Sequence, residues 1–163
     1  MKRLTWLVGP PGAGKSTFAK EQAARSPRVV ELNTMLASLV QPAGITKGVL
    51  HANGQLVQLI RDLELRPENL PLDPLLVVTG LVSEEILFDG RENEEVWLLL
   101  PPRERWEQQL RQRPVGEGAT RQYNDYAYAT YWYERFASWS EEGRTVVRLD
   151  TPYRPELLGS ICS

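Results

Sequence analysis

Short runs rich in valine and leucine alternate with helix-period segments along this chain, which predicts a three-layer α/β fold around a five-stranded, mostly parallel sheet. Two observations carry the prediction. The runs Leu4–Val8, Val29–Leu32, Leu75–Thr79, Val96–Leu100 and Thr145–Leu149 are apolar without alternation, as strands covered on both faces are. Between them lie stretches long enough for the crossovers that parallel neighbours require. At 163 residues, 42% hydrophobic and 25% charged, the chain has the size and composition of one soluble domain with a substantial core. Residues 1–163 therefore read as a single unit.

The first run leads into Gly9-Pro10-Pro11-Gly12-Ala13-Gly14-Lys15-Ser16, which fits G-x-x-x-x-G-K-[ST]. A helix is expected over Lys15–Ala24. Strand, glycine-rich loop and helix in that order form a phosphate cradle: the glycines let successive N–H groups converge, and the helix start adds partial positive charge. Lys15 is expected to reach the β- and γ-phosphates and Ser16 to ligate Mg²⁺, with Gly9, Pro10, Pro11, Gly12, Ala13, Gly14 and Thr17 completing the nucleotide contact.

Further along, a helix is expected around Leu50–Leu65, with Leu56, Leu59, Ile60 and Leu63 as its core-facing stripe. Asn53-Gly54 reads as the end of a preceding turn, and His51, the one histidine, as structural or surface. The proline-rich stretch from Arg66 to Pro74 reads as a connector into the third strand. Helices follow at Pro102–Arg113 and Arg121–Glu141, with a short one near Pro155–Ile161. Within Tyr123–Trp139 the stripe Tyr128, Trp132, Phe136 and Trp139 is expected to face the core. Tyr123, Tyr126, Tyr131 and Tyr133 lie to the sides, where exposed rings can stack on bases.

A net charge of −2 excludes a global basic field of the kind that drives non-specific nucleic-acid binding. Locally, however, Arg103, Arg105, Arg111, Arg113 and Arg121 follow an acidic stretch containing Glu84, Glu85, Asp89, Glu92, Glu94 and Glu95. No apolar run is long enough for a bilayer, and the N-terminal stretch runs straight into the phosphate loop rather than forming a signal peptide. The single cysteine, Cys162, excludes an internal disulfide framework, so a cytoplasmic location is expected.

With these residues in view, the chain resembles the small P-loop kinases, and most of all the kinase domain of phage-type polynucleotide kinases. The likeness rests on the opening from Lys2 to Glu21, on Pro27 and a strand ending in Asn33, on Leu98–Pro102 leading to Arg111-Gln112-Arg113, and on Leu149-Asp150-Thr151-Pro152. It implies a P-loop NTPase fold with a helical, arginine-bearing lid at about 103–125. It also implies Arg113 as the lid arginine with Arg111 and Arg121 beside it, and Pro152 near the adenine. In the family another arginine often stands where this chain has Gln109.

The sequence departs from that pattern at two acids. Met35 stands where the resemblance calls for the aspartate that takes the acceptor's proton, and Thr79 stands where many such enzymes carry an Mg²⁺-binding aspartate. Glu31 is the first candidate for a replacement acid. Glu84, Glu85 and Asp89 follow, and Asp62 is expected to face solvent. The leading expectation is an ATP- and Mg²⁺-dependent kinase acting on a hydroxyl, favoured on a DNA or RNA 5′ end or a modified base. The alternatives are a small-molecule or nucleotide kinase, its acceptor enclosed by residues 34–70, and a nucleotide-binding regulator without transfer chemistry. No membrane partner is expected.

Overall fold

The computed structural model describes residues 3–24, 28–32, 45–64, 74–79, 83–89, 92–112 and 126–150, with backbone alone over 45–52. The strands are β1 (Leu4–Val8), β2 (Val29–Glu31), β3 (Leu75–Val78), β4 (Glu94–Leu99) and β5 (Val147–Leu149). They form one sheet in the order β2-β3-β1-β4-β5, and every neighbouring pair is parallel. The connection from β3 to β4 passes over β1, so the carboxyl end of β1 opens at a change of winding direction. Open α/β sheets take their ligands at such a point.

Strand ends differ from the sequence expectation by one or two residues. The largest change is in β4, which begins at Glu94 because Leu4 pairs with Glu94 and Thr5 with Glu95. Each of these two carboxylates is held by an indole, Glu94 by Trp6 and Glu95 by Trp97, which lets charged residues extend a buried ladder.

Side-chain alternation divides the core between the two sheet faces. Leu4, Trp6, Val8, Val77, Val96 and Leu98 point to one face, and Leu7, Leu76, Val78, Trp97 and Leu99 to the other. Helix α1 (Lys15–Ala23) covers the second face through Phe18 and Ala19. Residues of α2 (Ile45–Glu64), α3 (Glu84–Leu87), α4 (Arg103–Gln112) and α5 (Tyr126–Glu141) pack on the first.

Helix α2 corrects two expectations. Asn53 and Gly54 lie inside it rather than ending a turn, and a Cβ at Gly54 would sit 2.7 Å from Ile86 Cδ1, so the glycine admits α3 at close range. Leu56, Val57 and Ile60 pack inward, whereas Leu59 and Leu63 are 53% and 45% exposed. Asp62 is exposed, as expected.

Near the end of α2, the fully buried Arg61 ties three elements together. Its Nε donates to Glu94 Oε1 at 2.6 Å, its two terminal nitrogens donate to the Ile86 and Leu87 carbonyls at 2.7 and 3.1 Å, and its guanidinium lies 5.6 Å from the Trp6 ring centroid. A charge this deep persists only when its donors are satisfied, as they are here.

Helix α5 is rotated from its expected phase: it buries Ala129, Tyr133, Phe136 and Trp139, while Tyr128 and Trp132 are half-buried. Tyr133 turns inward because its hydroxyl donates to the Pro101 carbonyl at 2.6 Å and its ring lies on Trp106, centroids 4.5 Å apart. Beyond its last residue, Glu141, the helix is stopped at Gly143 (φ 74°), where Arg144 N donates to Trp139 O and Gly143 N to Ser140 O, the paired bonds of a Schellman stop.

The connector over Arg66–Asp73, the expected helix near Pro155–Ile161, and Met35 and Cys162 lie outside the described residues, as do residues 121–125.

Candidate functional site

Between β1 and α1 the chain makes the turn its glycines allow. Ala13 N donates to Pro10 O at 3.2 Å, and Gly12 and Gly14 take φ of 82° and 100°, a region costly for any residue with a Cβ. At Gly9 the constraint is space, since a Cβ there would sit 2.4 Å from the Leu99 carbonyl oxygen. Helix α1 then starts at Lys15 with Gly14 as its N-cap, no side chain capping it and no acid in its first turn. Its leading amides and dipole are therefore left to an anion, which is the physical content of a phosphate cradle.

Lys15 Nζ donates to the Gly9 and Pro10 carbonyls at 2.7 and 3.0 Å, which holds its ammonium within the loop. Ser16 Oγ donates to Glu31 Oε1 at 2.7 Å. Glu31 closes β2, so the edge strand delivers a carboxylate to the hydroxyl in the first turn of α1. Among the replacement acids weighed from sequence, the structure thus brings Glu31 to the loop. Hard oxygen donors of this kind suit Mg²⁺, and a glycine-lined loop with an ammonium suits the phosphates of ATP, so the residues present fit both groups.

Glu84 lies elsewhere, in an ion-pair network at the start of α3. Both its oxygens face Arg135, and Arg144 approaches at 3.5 Å. Burial pushes its carboxyl up, but hydrogen bonds and charge from Arg135, with the charge of Arg144, outweigh this and hold it below the ordinary value. Glu85 and Asp89 are exposed. Thr79 sits beside the loop, its N–H donating to Leu7 O at 2.9 Å and its side chain fully buried. No group of three or more His, Cys, Asp or Glu placed to hold a metal occurs among the described residues.

The arginine-bearing helix packs directly on the phosphate loop. Trp106 Nε1 donates to the Pro11 carbonyl at 2.7 Å, and Leu110, one turn on, lies against Gly12. This contact is absent from the sequence expectation. The i, i+4 pair of Trp106 and Leu110 does mark the buried face of α4, but nothing local shows what that face meets. Arg111 follows at the exposed end of the helix. Arg113, Arg121 and Pro152 lie outside the described residues.

Of the other arginines, Arg105 reaches the Asp150 carbonyl at 3.5 Å, while Arg103 pairs with Glu107 and Glu134 and lies 5.8 Å from the Tyr133 ring centroid. Tyr126 OH donates to Glu107 Oε1 at 2.8 Å. That bond first, then Arg103, lowers the Glu107 carboxyl below its ordinary value.

The fold and loop define the class: the chain has the P-loop NTPase fold in the form found in shikimate kinases. It aligns with a shikimate kinase from Bacteroides thetaiotaomicron at TM-score 0.63 and 13% identity, covering 99% of this chain and 95% of that one. A shikimate kinase from Acinetobacter baumannii, in complex with shikimate, aligns at 0.59 and 16%, covering 99% and 91%. An unliganded sugar kinase from Janibacter sp. aligns at 0.57 and 16%, covering 97% and 90%. No protein-family model and no curated protein matches the chain. At these identities the likeness is one of fold, a fold shared with small kinases, and a particular likeness to the phage-type polynucleotide kinases is not found among these structures. No described helix is long and apolar enough to cross a membrane.

Proposed function

We propose that this protein is an ATP-dependent phosphotransferase acting on the hydroxyl of a small molecule. The observation that carries the reading is the Ser16–Glu31 contact at 2.7 Å behind the phosphate loop. A loop that only gripped phosphate would need no carboxylate at that corner. The Ser16 proton is committed to Glu31, which leaves the hydroxyl's lone pairs for a cation. Bound ATP supplies the phosphoryl group, and bound Mg²⁺ supplies the charge that draws its oxygens together.

The chain's own residues do the positioning. The loop amides and the α1 N-terminus hold the phosphate tail, and Lys15 turns from the Gly9 and Pro10 carbonyls to the transferring group. Arg111 stands on the helix packed against the loop, suited with Arg113 and Arg121 to neutralise charge in transfer. Glu31 acts in this reading on the metal side, through Ser16, rather than as the acceptor's base. Fold neighbours named for shikimate and sugar substrates favour a small hydroxyl-bearing acceptor over a nucleic-acid end.

The test is transfer of labelled γ-phosphate from ATP to two panels, one of small polyhydroxylated acids, sugars and nucleosides, the other of oligonucleotides with free 5′-hydroxyls. Label in the first panel, dependent on Mg²⁺, is the expected result. Label in the oligonucleotides alone would return the acceptor to nucleic acid. ATP bound without any transfer would make the protein a nucleotide-dependent regulator.

A further inference from the structure

We infer that Trp106 is a positioning residue for the nucleotide: its indole N–H sets the orientation of a phosphate-binding amide in the loop. The inference rests on the reading of Gly9–Ser16 as the site for a nucleotide's phosphates. Trp106 is fully buried on α4, and its Nε1 donates to the Pro11 carbonyl at 2.7 Å across 95 positions of sequence.

A peptide unit is planar and trans, so its C=O and N–H point in opposite directions. Fixing the Pro11 carbonyl on the indole therefore turns the Gly12 N–H away from α4. Gly12 is one of the two positive-φ glycines of the loop, and a peptide beside glycine rotates readily unless something holds it. The indole is that restraint.

The rest of the contact keeps the donor in place. Leu110 lies against Gly12, its Cα 3.3 Å and its Cδ1 3.1 Å from where a Cβ there would stand. On its other side the Trp106 ring meets Tyr133, which is bonded in turn to the Pro101 carbonyl just beyond β4. The donor is thus fixed to the end of the sheet rather than to the loop it restrains.

Trp106→Phe keeps an aromatic ring on Tyr133 and removes the N–H, but it also removes part of a fully buried ring system, so lost packing must be separated from the lost hydrogen bond. The experiment measures ADP binding with Mg²⁺ by calorimetry for the full chain, alongside denaturation midpoints. Trp139→Phe, a buried change at the far end of α5, is the control for lost stability. Trp106→Phe is expected to weaken ADP about tenfold, the scale of a buried acceptor left unpaired, by more than its loss of stability accounts for. Trp139→Phe is expected to keep the affinity while losing comparable stability.

Unchanged ADP affinity in a folded Trp106→Phe protein would overturn the positioning role while leaving the nucleotide site standing. Equal weakening in both variants would make the effect one of stability and overturn it too. A wild-type protein that binds neither ADP nor ATP would overturn the site and this inference together.

Discussion

Ser16 Oγ donates to Glu31 Oε1 across 2.7 Å, so the first turn of α1 and the last residue of β2 meet at one hydroxyl–carboxylate contact. Outer partners of metal ligands usually cost about 10- to 100-fold in metal affinity when removed. Glu31→Gln is expected to raise the Mg²⁺ concentration needed for half-maximal transfer by that order, with ADP affinity in the absence of metal nearly unchanged. Titrating activity against Mg²⁺ checks it. A variant with normal Mg²⁺ dependence but a displaced pH–rate profile would instead make Glu31 the base.

Lys15 donates to two loop carbonyls and has one ammonium to bring to phosphate. Lys15→Ala is expected to weaken ATP by about 10- to 100-fold, the range of a charge-assisted hydrogen bond, while the thermal midpoint moves little. Equilibrium binding beside a thermal melt measures both. Unchanged ATP affinity would remove the phosphate loop from the site.

The Arg61–Glu94 pair stands at the opposite, amino-terminal edge of the sheet, with side chains 1% and 6% exposed. Arg61→Ala leaves the Glu94 carboxylate without its cation, with the Trp6 indole still donating to it, and two carbonyls without the Arg61 bonds, and is expected to cost about 3–5 kcal/mol in chemical denaturation. The pair Arg61→Met with Glu94→Leu should recover most of that loss, short of the bond Trp6 gives Glu94. A single Arg61→Ala cost near zero would contradict the buried network.

Glu84 titrates below its ordinary value of 4.5 in the folded protein because Arg135 and Arg144 favour its charged form. Between the folded and unfolded values the unfolded chain binds more protons, so stability contributed by this group is present above 4.5 and is lost as the pH falls. Glu84→Gln is expected to be less stable at neutral pH by about 1 kcal/mol, a partly exposed pair being worth little more. Its stability should fall less steeply than the wild type's below pH 4.5. Urea midpoints at several pH values measure the two slopes, and parallel curves would refute the assignment.

Two glycines separate space from backbone strain. Gly9→Ala puts a Cβ 2.4 Å from the Leu99 carbonyl and is expected to cost at least about 2 kcal/mol and to disturb the loop. Gly143→Ala meets nothing within 4 Å, and only its φ of 74° opposes the methyl group, so about 1–2 kcal/mol with normal nucleotide binding is expected. Matched denaturation and ADP titrations distinguish the two.

The phosphate loop, the five strands and most helices are legible in the sequence because each depends on neighbours within a few positions. Gly12 and Gly14 can take positive φ whatever surrounds them, and unbroken runs such as Leu75–Val78 announce a strand covered on both faces. Glu31 could be shortlisted by its place on a strand, but its distance to Ser16 could not be read. The phase of α5 escaped for a similar reason. Tyr128 and Tyr133 are both aromatic, and the inward one is decided by the Pro101 carbonyl and the face of Trp106, which no helical period encodes. Leu59 and Leu63 fit the same apolar pattern as Leu56 and Ile60 but lie on the outer side of α2.

Sequence alone therefore determined the strand–loop–helix proposed here to bind phosphate, since turn chemistry and periodicity are local properties of the chain. Tertiary structure decided which distant groups meet that loop: Glu31 from the edge strand, Trp106 from a helix 95 positions past Pro11, and Arg61 burying its charge against Glu94. The physical reason is that helix rotation and strand order are settled by packing across the whole sheet, where a hydrogen bond between remote residues forms only after both have been buried.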